Sequence, residues 1–279
     1  MRLAVILVSL AACGRFDFGA RADGALDALP LAAIDTSIAQ AYPAAVLADH
    51  PLAYYRLDEA SDTLAAADVS GHANHGSYEL SSGGTATFAT GGALVADADL
   101  DPALLLTGDG NSGGGGVSGM RIPAAIFPSA GDFTVEGWIN PRSRPPTGWN
   151  DAFFMFEHHM VSGFRIGWTF DLAPELWTTE AGGSSSVYAT TPLFLGAWNH
   201  LVITKAGGAV SIYVNGALSI QAMVDYVAPS PQELVENCFG ACHGMPSDGV
   251  FDEVAIYDYA LSIARVIAHH DIALGLAGQ

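Results

Sequence analysis

The sequence is short of positive charge. Its 279 residues hold 10 Lys and Arg against 29 Asp and Glu, a formal net charge of −19, and Lys205 is the only lysine. Proteins that bind nucleic acid neutralise phosphate with a basic footprint, and the absence of one sets that class aside. Electrostatic attachment to anionic lipid is excluded on the same ground. Charge of either sign is scarce, at 14% of residues, whereas 50% are hydrophobic. That composition supplies a sizeable core and argues against global disorder. No apolar run reaches the ~20 residues that span a bilayer. Internal repeats are also lacking, and no linker splits the chain after Tyr42.

What is present begins with "MRLAVILVSLAACGRF": one basic residue, Arg2, then an apolar run from Leu3 to Ala12. This suits a secretory signal. The run ends in Leu10-Ala11-Ala12-Cys13, which resembles the lipobox of bacterial lipoproteins. The resemblance implies that Cys13 is acylated and becomes the mature N-terminus. Gly14 stands where an aspartate would favour inner-membrane retention, so the expected location is the cell envelope, lipid-anchored, at the outer membrane. The alternative is an ordinary signal peptide cut near Ala12, with Cys13 incidental. The expected organisation is a signal at residues 1–12, a tether at 13–41 with a short helix around Leu31–Ala41, and one domain at 42–279.

Cysteine is rare too. With Cys13 lipidated, Cys238 and Cys242 remain as an even pair in an oxidising compartment. They lie in "NCFGACHG", where glycine lets the chain curl back, and a disulfide is expected there. Free thiols, or a metal site with His243, are the alternatives; zinc wants two separated pairs of ligands, and no second pair exists.

From Tyr42 onward, short runs of β-branched and aromatic residues alternate with Gly, Pro, Asn and Asp clusters. This is the pattern of an all-β sandwich. "FTVEGWINP" (Phe133–Pro141) turns Phe133, Val135, Gly137 and Ile139 to one face and Thr134, Glu136, Trp138 and Asn140 to the other. "AFFMFEH", "GFRIGWTFD", "ELWTTEAG" and "SVYATTP" follow as strands. A meander is predicted over Asn199–Lys205, Ala209–Val214 and Leu218–Ala222, its second turn at Asn215-Gly216, the strongest short hairpin signal. "GDGNSGGGGVSG" is a loop, since Pro123 denies it the helix that a phosphate cradle needs. "ALSIARVIAHHDIALG" reads as a helix with Leu261, Ala264, Val266, Ile267 and Ile272 on its apolar side.

Four stretches together resemble the laminin-G-like, concanavalin A-like lectin and glucanase jelly rolls. They are "AVLADHPLAYYRLDEASDT…ADVSGHANHGSY", "FTVEGWINP", "WNHLVITKAGGAVSIYVNGAL" and "GVFDEVAIYDYALS…RVIAHH". The resemblance implies two antiparallel sheets packed face to face, one concave, ending in a short helix. Its members serve mainly as modules binding glycans or proteins, often with calcium, and some distant relatives are glucanases or lyases. Fold alone does not settle function.

An enzyme would need its acids. Retaining glycosidases hold two carboxyl groups ~5–5.5 Å apart and inverting ones ~6.5–9.5 Å. Strict alternation along "FDEVAIYD" groups Phe251, Glu253, Ala255 and Tyr257 on one face and Asp252, Val254, Ile256 and Asp258 on the other. Asp252 and Glu253 then diverge. The Glu-x-Asp-x-x-Glu pattern of glucanases of this fold is missing, Glu136 and Glu157 are isolated, and no Gly-x-Ser-x-Gly supports a triad. No catalytic residue is assigned.

Calcium is expected as a cofactor at Asp68, Asn74 and Asp252, with Ser70 nearby, because calcium takes oxygen ligands at glycine-bearing turns and the family places the opening segment beside the closing strand. The alternative is that Asp68 and Asn74 stabilise turns through side-chain-to-backbone bonds. His200, Trp138 and Trp198 are expected in or near the core, and the adjacent pairs His158-His159 and His269-His270 make poor chelates. Aromatic candidates for stacking on a sugar are Trp149, Trp168, Trp177 and Tyr188, foremost Trp149 in "RPPTGWND". The expected function is a non-catalytic binding or adhesion module for glycan. A protein ligand or a structural envelope role is the alternative, and a polysaccharide-active enzyme stands behind both.

Overall fold

The computed structural model describes residues 31–279 except 60–64, 81–84, 95–101, 109–117, 124–125, 127–130, 149, 159–161, 181–182, 226–235, 242–246 and 277–279. Two antiparallel sheets face each other. The first runs, in spatial order, β14 (Ala217–Met223), β13 (Ala209–Val214), β12 (Asn199–Ala206), β7 (Phe133–Pro141), β16 (Ser247–Tyr257), β5 (Pro102–Gly108) and β4 (Thr85–Gly91), with β1 (Ala53–Tyr55) also pairing to β16. The second runs β11 (Gly183–Tyr188), β10 (Pro174–Glu180), β9 (Ser162–Trp168), β8 (Asp151–His158), β15 (Glu236–Ala241), β6 (Ser118–Arg121), β3 (Gly76–Leu80) and β2 (Ala65–Ala66). Helices α1 (Leu31–Ala48) and α2 (Ile263–Ala273) open and close the order. This is the sandwich that the alternating pattern predicts, with its short C-terminal helix.

Alternation places the core. Phe133, Val135 and Ile139 of β7, Leu201 and Ile203 of β12, and Phe251, Val254 and Ile256 of β16 meet Phe153, Phe154 and Phe156 of β8, Phe164, Ile166 and Trp168 of β9, and Leu176 of β10. The other face of β7 and β12 carries Trp138 and Val202 into a second cluster, where Tyr42 and Val46 of α1 and Val266 and Ala273 of α2 cover them. The central strands β7, β12 and β16 of the first sheet are therefore buried on both faces, one against the second sheet and one against helices. The β12–β13–β14 meander turns at Asn215 (φ 51) and Gly216 (φ 74). Two successive positive φ values are what a type I′ hairpin turn requires.

Helix α1 runs past the Leu31–Ala41 expected for it, to Ala48, and buries Tyr42 and Val46. Two expectations need correcting. The stripe of α2 that is buried consists of Val266, His269 and Ala273, whereas Ile267 is 40% exposed; the apolar side was misjudged because one of its members is a histidine. Strict alternation also fails in β16. Its register with β7 shifts between Asp252 and Ala255, and Glu253 adopts a left-handed φ of 52. The bulge adds a residue and resets the phase of the strand. Phe251 thus joins Val254 and Ile256 in the inter-sheet core, and Ala255 and Tyr257 join the second cluster. Alternation does not separate the acids at 252 and 253.

Candidate functional site

Two outer faces could hold chemistry, and they differ. Beneath the helices, on the outer face of the first sheet, Glu136 is fully buried. Its carboxylate accepts from the Tyr42 hydroxyl at 3.2 Å and the Tyr257 hydroxyl at 3.0 Å. It also meets His200 Nε2 at 2.8 Å and His269 Nδ1 at 2.9 Å. The other nitrogen of His269 lies 3.0 Å from Asp49 Oδ2, which Arg265 Nε grips at 2.7 Å. Arg265 also donates to the Ala45 carbonyl at 3.2 Å and stands 3.3 Å from His269 Nε2.

Burial alone would raise the Glu136 pKa, but His269 and His200 outweigh it and hold the carboxyl well below its ordinary range. Burial likewise opposes a charge on His269, and Glu136 and Asp49 overcome it, so its pKa is raised. Burial keeps His200 low. Glu136 and His269 are paired where an uncompensated buried charge would be costly, and Asp49 and Arg265 close the cluster at its partly exposed edge. The cluster ties α1 and α2 to β7.

The outer face of the second sheet is open. Arg165 and Gly167 on β9, Glu175 and Trp177 on β10, and Asn150 line a cavity of about 180 Å³. The period of two that sends Phe164, Ile166, Trp168 and Leu176 into the core turns these side chains outward. The Arg165 guanidinium lies 3.8 Å over the Trp177 ring, a stack that fixes both groups. Glu175, 5% exposed, accepts from the Ser186 hydroxyl at 2.6 Å and from the Asn150 amide. Both of its oxygens are thereby oriented, and it is the one carboxylate among the described lining residues. Gly167 cannot be replaced without rebuilding the wall, because a Cβ there would sit 2.0 Å from the Asp151 carbonyl oxygen. Tyr188 of β11 stands opposite Glu175 in register and is 49% exposed. The arrangement offers a fixed aromatic–cation surface with oriented hydrogen-bonding groups, and a volume below the ~300–1,000 Å³ of pockets for drug-sized ligands. It suits a single ring or side group of a larger ligand.

The residues singled out from sequence are distributed unevenly. Trp177 and Tyr188 lie on or beside this face, whereas Trp168 is in the inter-sheet core at 0% exposure. Trp149, Cys13 and Cys242 lie outside the described residues. Cys238 is buried on β15, between Arg121 and Met155 in register. Asp68 accepts from the amides of Tyr54, Ser70 and Asn74 and from the Ser70 hydroxyl, all at 2.8–2.9 Å, and the Asn74 amide donates to the Leu52 carbonyl at 2.8 Å. These are the bonds of the turn-stabilising alternative. Asp252 Oδ2 accepts from the Ala93 amide at 2.8 Å. No group of three or more His, Cys, Asp or Glu is arranged to hold a metal ion among the described residues.

Arg165 and Glu175 went unnoticed in the sequence. Their signal is faint: each is the charged member of an alternating strand, next to an aromatic or another outward residue. Asp151 was missed as well. It is 2% exposed, and burial, with Asp248 adding to it, pushes its pKa up to about 7, against a Trp168 hydrogen bond that lowers it.

Comparison with known proteins follows the fold. A search of curated proteins finds no match. Among solved structures, the chain is similar to the binding domain of Paraclostridial Mosquitocidal Protein 1, with a TM-score of 0.58 and 16% identity over 81% of this chain and 52% of that one. It is also similar to domain 4 of AbnA, a GH43 extracellular arabinanase from Geobacillus stearothermophilus, solved with arabinotriose: TM-score 0.56, 21% identity, covering 79% of this chain and 98% of that one. The botulinum neurotoxin serotype D binding domain gives a TM-score of 0.56 at 14% identity over 82% and 52%. The chain spans about half the length of these toxin binding domains, and likeness at such identities is one of fold. The sequence profile of the concanavalin A-like lectin/glucanases superfamily, in its laminin-G form, matches residues 113–267, which include the strands of the meander, both strands around the cavity and the start of α2; the chain belongs to this superfamily.

Proposed function

We propose that the chain is a non-catalytic carbohydrate-binding module and that the outer face of the second sheet holds the glycan. The observation that carries this is the cavity walled by Trp177, Arg165, Glu175 and Asn150. Aromatic and guanidinium planes serve the apolar face of a sugar ring, and oriented amide and carboxylate groups serve its hydroxyls. The solved arabinanase domain of the same fold carries an arabinotriose, and a botulinum neurotoxin DC binding domain was solved with SialylT; both support a glycan ligand for this chain. Glu175 is the one carboxylate among the described lining residues, which supports binding without cleavage, since hydrolysis uses two. Export with lipid on Cys13, and a disulfide between Cys238 and Cys242, complete the proposal; intact mass of the purified protein checks both.

Affinity electrophoresis against a polysaccharide panel that includes arabinan tests the function. Retardation of the wild type on at least one glycan, lost in Trp177→Ala, is expected. Release of reducing ends, abolished by one acid substitution, would replace binding with catalysis. Retardation that survives Trp177→Ala would move the site elsewhere.

A further inference from the structure

One exposed feature lies apart from the sugar face. The loop between β11 and β12 presents Phe194 at 62% exposure and Leu195 at 46%. Large apolar side chains displayed side by side on a loop tip are costly in water. Charge is absent around them: from Ala181 to Thr204 the sequence contains no Asp, Glu, Lys or Arg.

The backbone of the tip is also closed upon itself. Leu193 N–H donates to the Leu172 carbonyl and Gly196 N–H to the Pro141 carbonyl, both at 2.8 Å. Asn199, fully buried, clips the rest: its Oδ1 accepts from Phe194 N–H at 2.8 Å, and its Nδ2 donates to the Phe194 carbonyl at 3.0 Å and the Ala197 carbonyl at 2.8 Å. Hydrocarbon accepts only backbone whose polar groups are satisfied internally. A loop segment with no charges, several of its backbone groups bonded internally and two projecting apolar side chains comes closer to that condition than most loops do.

The neighbouring turns continue the pattern. Phe170 is 42% exposed, and Arg144 donates to its carbonyl at 2.7 Å and lies 5.7 Å over its ring. The contacts described for Arg144 are thus with a carbonyl and a ring and not with a carboxylate, so its charge can face a lipid phosphate. Arg142, in the same segment, is 3.6 Å from Asp248, and Asp171 beside Phe170 is exposed. The local charge is close to balanced, which favours a zwitterionic surface over a strongly anionic one.

We infer that the β11–β12 loop inserts Phe194 and Leu195 into the interfacial layer of a phospholipid bilayer, with Arg144 at the headgroup phosphates. The contact is shallow and reversible, as expected of a few apolar side chains acting without a spanning segment. It is independent of glycan binding and of any lipid on Cys13.

The test uses the full chain carrying Cys13→Ala, so that no acyl chain contributes, and flotation with phosphatidylcholine vesicles. The double variant Phe194→Ser/Leu195→Ser should float about tenfold less or lower still, because the apolar area it would bury is gone. Its melting temperature should hold, since both side chains are exposed. A single-site environment-sensitive dye on Leu195→Cys should shift to the blue on vesicle addition. Equal flotation of parent and double variant, or a dye that does not shift, overturns the inference. Concentration-dependent self-association that the double variant abolishes, without vesicle binding, would assign the tip to a second copy of the chain and overturn it equally.

Discussion

The two sheets of this sandwich treat their outer faces in opposite ways. The first hides its face under α1 and α2 and fills it with a polar cluster in which every charge has an opposite one. The second leaves its face to solvent and keeps there a cavity with a stacked Arg165–Trp177 pair. Both faces contain a glutamate held by hydrogen bonds from neighbouring groups, Glu136 in one and Glu175 in the other. Access separates them: Glu136 is fully buried among its partners, whereas Glu175 has its oxygens oriented at the edge of a cavity. The buried cluster ties helices to sheet, and the open face is the one proposed for binding.

Substitution at the two glutamate neighbourhoods should pull stability and affinity apart. Glu136→Gln leaves His269 and Arg265 with less negative charge in a dry site, so a loss of about 3–5 kcal/mol is expected. At roughly 2–4 °C per kcal/mol for a domain of this size, thermal melting shows it plainly, and a shift within error would break the contrast. Trp177→Ala should do the converse: glycan affinity falls about tenfold or more, as for a central aromatic anchor, while melting changes little.

Acid–base behaviour sharpens the same contrast. The Asp151 pKa is raised to about 7 in the fold, above its usual ~3.9. The folded state then holds a proton that the unfolded chain has released, so stability declines as pH rises from about 4 to 7 and levels off above. Asp151→Asn should remove that decline and melt higher than the wild type at pH 8. His269 also has a raised pKa. Its contribution is complete below the unfolded value near 6.5 and is lost as pH climbs through the higher folded value. A modest drop in melting temperature on the alkaline side, absent in His269→Gln, is expected, with glycan binding unaffected by that substitution.

Much of the sandwich was legible because its strands obey a period of two. Phe133–Pro141 and Ala209–Val214 appear with the bounds that alternation predicts, and Asn215-Gly216 turns as its residue types require. Legibility ended where a single residue breaks the period. The bulge at Glu253 leaves no mark in composition, yet it decides which side chains of β16 face the core. The covering of the first sheet was hidden for another reason: the residues that dock α2 include His269, and a polar residue on a buried stripe counts against the helix face that it belongs to. The open face of the second sheet was half visible. Aromatic content pointed to Trp177 and Tyr188, but the cavity is assembled from three strands' worth of register, and nothing in a linear sequence places Asn150 beside Glu175.

The bonding of α1 carries a mechanical consequence. The helix is fastened through Tyr42, and through Asp49 just past its end, to β7 and α2, so tension applied to the preceding segment would reach the sandwich through that helix. The load would fall on a few charged contacts in series before any sheet ladder felt it. Under pull the helix should peel away first, and the open face of the second sheet should keep its shape until it does.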